Sequence, residues 1–221
     1  MSNLSGMILA GGQSSRMGQD KALLPMQGQP LIAKVYGVAA CCCDRVMVIS
    51  PWPERYQNLL PSDCRYVVER PLTMQATSGH SPSRGLGVSH GPLVGFYQGL
   101  GAVATEWVLL LACDLPQLQP QPLQAWAEHL GDLPTSTVAY LARQPQGWEP
   151  LCGFYRSTCR KSLGEFIAAG GRSFQRWLRS QQIAELPPSP QGASLFYNCN
   201  TPQDWQQLQD ERRNAIDSVP D

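Results

Sequence analysis

The chain has 221 residues, within the size of one α/β domain and long enough to bury a sizeable core. Its 17 Lys and Arg balance 17 Asp and Glu, so no global charge recruits nucleic acid or an acidic membrane, and any anion must be held by local geometry. No opening segment combines a basic start, a long apolar stretch and a small-residue cleavage site, and no run is apolar for long enough to span a bilayer, which predicts a cytoplasmic protein with no membrane partner.

Four short apolar runs, at 6–10, 46–50, 66–68 and 107–112, are rich in Val, Ile, Leu and aromatic residues and are predicted strands. Between them 30–40, 53–60 and 92–103 are predicted helices, each with proline at or near its start, where the missing N–H does no harm. Strands apolar throughout, alternating with helices, predict an α/β fold with a Rossmann-like, mainly parallel sheet sandwiched by helices. Ligands of such sheets bind beyond the carboxyl ends of the strands, which sets the end of the first strand at the ligand.

Farther along, 136–141 and 150–155 are predicted strands, 157–169 and 173–180 helices, and 195–198 a last strand before a helix beginning near Thr201. No internal repeat occurs. The segment 72–91 is rich in Gly, Ser and His, has no period, and is predicted to be a long loop of the kind that forms lids. Residues 211–221 are polar and expected to fray, leaving one domain over 1–210. The eight cysteines form no C-x-x-C pair and most are expected to be small buried hydrophobes. A zinc site from Cys41, Cys42 and Cys43 is the alternative, although adjacent residues on a helix point in different directions. His80, His90 and His129 have no metal-binding spacing and are assigned no chemistry.

The stretch after the first strand, "LAGGQSSRMGQDKALL", carries the chemistry. Gly11 and Gly12 have no Cβ to block the approach of a phosphate to backbone N–H groups. Neither G-x-x-x-x-G-K-[ST] nor G-x-G-x-x-G occurs, so this is a different phosphate loop or an ordinary turn. Arg16 and Lys21 favour the former, because they supply two cations to a polyphosphate while Gly18 lets the loop fold back. A solvated surface residue is the alternative for either one alone.

At this point the sequence resembles the molybdenum cofactor guanylyltransferases, of the nucleotide-diphospho-sugar transferase fold. The same loop is their signature, and "GPLVGFYQGL" from Gly91, "LLLACDLPQL" from Leu109, "EPLCGFY" from Glu149 and "NCNTPQDW" from Asn198 follow in the family's order. The resemblance implies transfer of GMP from GTP to the terminal phosphate of molybdenum-molybdopterin, with release of pyrophosphate. It implies a GTP-binding part over about 1–115, a molybdopterin-binding part over about 116–210, and encounters with proteins that deliver molybdopterin or insert the finished cofactor. It sets Leu9, Ala10 and Gly11 against guanine, the Leu-Ala-Gly-Gly form being typical of guanylyl rather than cytidylyl transfer. An Asp common after the third strand is absent, so Glu69 takes its role with a longer arm or the contact is lost, Arg70 being the next residue. Arg172, Asn198 and Asn200 look like molybdopterin-facing residues, with helix capping or solvation the alternative for Arg172.

Asp114 closes a buried strand at its carboxyl end. A carboxylate there binds Mg²⁺ jointly with a triphosphate, or it caps the turn before Pro116. In the wider fold a second metal ligand comes from late in the chain, where Asn200 is the candidate; it could equally neighbour the cap of the helix at Thr201. A phosphate oxygen is already a nucleophile, so Arg16, Lys21 and Asp114 would act by alignment and charge neutralisation. The alternatives are a cytidylyltransferase or sugar-phosphate nucleotidyltransferase on the same fold, and a non-catalytic nucleotide-binding module.

Overall fold

A computed structural model describes residues 3–11, 18–71, 91–188 and 192–217. Strand β1 (Leu4–Leu9) is buried along its whole length. A two-residue-paired hairpin follows, β2 (Pro25–Met26) and β3 (Gln29–Pro30), turning through Gln27 and Gly28 at φ 53° and 80°. Positive φ at both central positions matches the twist of a tight hairpin, and glycine supplies it without strain at the second. Helix α1 (Leu31–Ala40) leads to β4 (Arg45–Ser50) and β5 (Arg65–Val68). Helix α2 (Pro92–Leu100), β6 (Trp107–Ala112) and α3 (Pro120–Ala127) complete the first half.

The second half holds β7 (Ala139–Gln144), β8 (Gly147–Arg156), α4 (Arg160–Ala168), α5 (Phe174–Leu178), β9 (Ile183–Glu185) and α6 (Pro202–Asp217). The main sheet has the order β5-β4-β1-β6-β8-β7-β9. Strands β5, β4, β1 and β6 are parallel; β8 runs antiparallel to both β6 and β7, and β9 is parallel to β7. Reversal at β8 needs only a tight connection from β7, so the mainly parallel sheet contains one hairpin, with β9 outside it at the edge.

Successive residues of β1 serve opposite faces. Ile8, with Val48, Leu109 and Leu111, packs under α1, α3 and Leu208 of α6. Met7 and Leu9, with Met47, Ile49, Val108 and Leu110, pack under Leu93 and Phe96 of α2 and Leu163 of α4. A sheet covered on both faces has no solvent side, which is why its strands read as apolar runs without alternation. Each Leu or Ile fully buried this way contributes about 1.5–3 kcal/mol relative to exposure.

Several expectations change. Segment 53–60 is no helix but a single 3₁₀ turn, Pro53–Arg55, followed by further turns. Tyr56 is 1% exposed and its hydroxyl donates to Asp20, a contact that turns the chain inward before a helix can propagate to Pro61. Residues 195–198 are not a strand: Gly192–Phe196 is a 3₁₀ turn, and Leu195 is apolar because it plugs the core. Helix α3, strand β9 and the β2–β3 hairpin were not expected. Helix α6 continues past Glu211 to Asp217.

The cysteines at the end of α1 diverge. Cys42 Sγ lies 3.7 Å from the Pro120 carbonyl, Cys43 Sγ packs against Gly6, and Cys41 is exposed. Burial pushes the Cys42 thiol up to about 12, so it stays protonated. Among the described residues no group of three or more His, Cys, Asp and Glu could hold a metal, which removes the zinc alternative.

Candidate nucleotide and metal site

β1 and β6 end at one level, Leu9 beside Ala112. Beyond them the Cys113 N–H donates back to Leu9 O at 3.2 Å and the Ala10 N–H to Ile49 O at 2.9 Å. The strand tips then part around a cavity of about 200 Å³ whose lining includes Leu9, Ala10, Gly11, Lys21, Glu69 and Asp114. It opens at the carboxyl ends of the parallel strands, where the first strand's apolar run predicted a ligand.

Lys21 enters on a built support. Asp20 Oδ1 accepts the Ala22 N–H at 3.1 Å, capping the 3₁₀ turn Lys21–Leu23. Asp20 Oδ2 accepts the Tyr56 hydroxyl at 2.9 Å and meets Arg55 Nη1 at 3.5 Å. Burial foremost, with the Asp20 charge second, pushes the Tyr56 phenol far up, so it remains a donor. The backbone of Lys21 is therefore fixed, while its four-carbon stem reaches into the cleft.

Its ammonium lies 3.2 Å from Asp114 Oδ2 and 2.7 Å from Asn200 Oδ1. The Lys21 and Asp114 side chains are only 16% and 18% exposed, so the ion pair is largely withdrawn from water. Asn200 arrives from the far end of the chain because the Cys199 N–H donates to Asp114 O at 3.3 Å. Its own N–H and that of Thr201 donate to Asp204 Oδ2 at 2.9 and 2.8 Å, and the Asp204 N–H returns to Thr201 Oγ1 at 3.1 Å. This is a reciprocal capping box with proline next in the helix. Asn200 is thus both a cap neighbour, through its backbone, and a partner of the Lys21 ammonium, through its side chain.

A carboxylate and an amide oxygen meeting around one cation form a hard donor set. It fits a small divalent ion that takes few protein ligands and completes its shell with phosphate and water oxygens.

Against this geometry stand the similarities to known proteins. The family described as MobA-like NTP transferase domain matches residues 6–185. The chain belongs to the MobA-like NTP transferase family. A probable molybdenum cofactor guanylyltransferase of Nostoc sp. is 47% identical over 212 residues, covering 96% of this chain and 93% of that one. Among solved structures, the molybdopterin-guanine dinucleotide biosynthesis protein A of Archaeoglobus fulgidus is similar at TM-score 0.71 and 17% identity, covering 95% of this chain and 99% of that one. A Mycobacterium tuberculosis protein solved as a manganese complex is similar at TM-score 0.60 and 17% identity, covering 94% and 98%. Both structures carry the same fold.

In this MobA-like chain the remaining candidates separate. Glu69 is 7% exposed, and a Cβ built on Gly11 would fall 2.8 Å from its Oε2, so the carboxylate stands against Gly11. Arg70 is exposed, its backbone N–H and carbonyl both paired with the Gln98 side chain at 2.8 and 2.6 Å. Of these two only Glu69 lines the cleft. Arg172 Nη1 donates to Ile167 O at 3.0 Å and Gly171 O at 2.6 Å, tying down the end of α4, and it is not part of the cleft lining. Asn198 is half-buried beside Cys199. Gly12, Arg16 and 72–90 lie outside the described residues.

The sequence reading named the segment "EPLCGFY" as a family motif but gave its first residue, Glu149, no role. Leu111 pairs with Cys152 at the end of the β6–β8 ladder, and Glu149 lies three residues before Cys152, near enough to Asp114 to feel its charge. Burial chiefly, and the Asp114 charge, hold its carboxyl above the usual range against a hydrogen bond from the Leu151 N–H. Its signal was a single acidic residue opening the otherwise apolar run "EPLCGFY".

Proposed function

We propose that this protein transfers GMP from GTP to the terminal phosphate of molybdenum-molybdopterin, releasing pyrophosphate. The observation that carries the reading is the meeting of Lys21, Asp114 and Asn200 at the tips of β1 and β6. The name of the Nostoc relative supports the same reaction. An oxygen of the acceptor phosphate attacks the α-phosphorus, and the bond from that phosphorus to the α,β-bridging oxygen breaks. No side chain forms a bond, so the task of the chain is alignment and charge neutralisation.

Lys21 neutralises phosphate charge, assisted by Arg16 and the amides of Gly11 and Gly12. Asp114 and Asn200 would hold Mg²⁺, which when bound offsets charge on the phosphates and on the leaving pyrophosphate. Leu9 and Ala10 give guanine an apolar wall, and the Glu69 carboxylate accepts from its N1–H and 2-amino group. On this reading one domain over 1–210 divides near residue 115, with Arg172 and Asn198 on the molybdopterin side. The protein works in the cytoplasm, where it meets molybdopterin-delivering and cofactor-inserting proteins. Among the described residues no helix is long and apolar enough to cross a membrane.

The test supplies the protein with Mg²⁺, molybdenum-molybdopterin and each nucleoside triphosphate in turn, following pyrophosphate and, by mass spectrometry, the dinucleotide. GTP alone should give the guanine dinucleotide, and a chelator should stop it. Preference for CTP, or no acceptor-dependent pyrophosphate from any nucleotide, overturns the reading.

A further inference from the structure

Lys21 puts its ammonium against both oxygens that would receive a metal, at 3.2 Å from Asp114 Oδ2 and 2.7 Å from Asn200 Oδ1. We propose that Lys21 and the divalent cation compete for these two oxygens, so that metal enters together with the triphosphate rather than ahead of it. This rests on reading the site as a metal-dependent nucleotidyltransferase centre, and is independent of the acceptor.

Charge and reach carry the argument. Asp114 brings one negative charge to the pair of oxygens and Asn200 brings none, so a single ammonium already neutralises them. A dication added beside Lys21 would set two further positive charges against an Asp114–Lys21 pair that is already neutral and whose side chains are 16% and 18% exposed, where solvent screens them poorly. A triphosphate removes the conflict because its own oxygens accept the ammonium. Lys21 can make the exchange without disturbing the fold: Asp20 and Tyr56 fix its backbone, and its stem is flexible. The same side chain thus serves as an internal counterion before substrate and as a phosphate ligand after it.

The experiment measures Mn²⁺ binding to the full chain without nucleotide, from the loss of the free-ion electron paramagnetic resonance signal. Lys21→Met and Lys21→Gln should each bind one Mn²⁺ at least about tenfold more tightly than the unaltered protein, the scale of one charge-assisted contact. Lys21→Arg should stay near the original affinity, and Asp114→Ala combined with Lys21→Met should lose the gain. A GTP analogue with a non-cleavable α,β linkage should tighten Mn²⁺ binding more in the unaltered protein than in Lys21→Met. If both neutral variants keep their circular dichroism and thermal midpoint yet bind Mn²⁺ no better, Lys21 and metal do not compete. Neither readout involves product, so a wrong acceptor would leave this result standing, and a failed competition would leave guanylyl transfer intact.

Discussion

The Cys199 N–H donates to the carbonyl of Asp114 at 3.3 Å, and this bond ties the segment before α6 to the tip of β6. Two parts of the site that are far apart in the chain are therefore joined directly. The Asp114 side chain projects past the end of β6, outside the core clusters, while its backbone holds Cys199. Replacement of the carboxylate should thus spare the fold. Asp114→Ala is expected to lower Mg²⁺-dependent pyrophosphate release by at least about a hundredfold, with unchanged circular dichroism. A rate near that of the unaltered protein would remove Asp114 from the metal.

Lys21→Ala is expected to lower kcat/KM for GTP by roughly tenfold to over a hundredfold, the range for loss of a charge-assisted contact. Steady-state kinetics over GTP concentration measures it. A change under about twofold would leave Lys21 as a counterion of Asp114 with no phosphate partner.

Asp204 holds Asn200 and Thr201 by their N–H groups, and those bonds, that from Asn200 first, keep its carboxyl below its ordinary value of 3.8. A carboxylate depressed on folding stabilises the native state above its unfolded pKa, and that contribution disappears as pH falls through the folded value. Asp204→Ala should cost about 0.5–2 kcal/mol, as for other lost caps. Urea unfolding should show this gap constant from about pH 5 to 8 and closing below about pH 4. A gap that does not narrow in acid would mean the cap works without its charge.

Much of this site could be read from sequence because its chemistry is local. Gly11, Lys21 and Asp114 each sit at the end of an apolar run or within a turn, and strand ends in a parallel sheet converge by topology alone. Asn200 could be flagged but not placed, since the hydrogen bond that delivers it joins Cys199 to Asp114. Glu149 comes near Asp114 on β8, which runs antiparallel to β6, a reversal that periodicity does not reveal. The failures at 53–60 and 195–198 have one cause. Tyr56 and Leu195 are apolar in pattern but are buried by tertiary contacts made from 3₁₀ turns, and short apolar runs do not distinguish these from regular elements.

At Gly99 helix α2 comes close against the sheet. A Cβ there would lie 2.6 Å from Met7 Sδ and 2.9 Å from Ile49 Cδ1. Met7 could give way, but Ile49 is fully buried and β-branched. Gly99→Ala should therefore destabilise by about 1–3 kcal/mol despite alanine's better helix propensity. Denaturant unfolding at unchanged m-value would show it, and a stabilised variant would mean the helix shifts outward freely.

On the proposed function, selectivity for guanine would rest on Gly11 and Glu69 together. The family resemblance sets Gly11 itself against the base. The structure sets Glu69 in its way: the methyl of Gly11→Ala would come within 2.8 Å of Oε2 and 2.9 Å of Pro51 Cδ. If Glu69 reads the guanine edge, displacing it should resemble neutralising it. Gly11→Ala and Glu69→Gln should then both narrow the ratio of kcat/KM for GTP over ITP, which lacks the 2-amino group, by about tenfold, the scale of one lost charged hydrogen bond. A defect of the turn, or a push on Pro51, would instead depress GTP, ITP and CTP alike in Gly11→Ala and leave that ratio unchanged. The decisive comparison is Glu69→Gln. It keeps the shape of the side chain and cannot clash, so a GTP to ITP ratio equal to that of the unaltered protein would place guanine recognition elsewhere in the cleft.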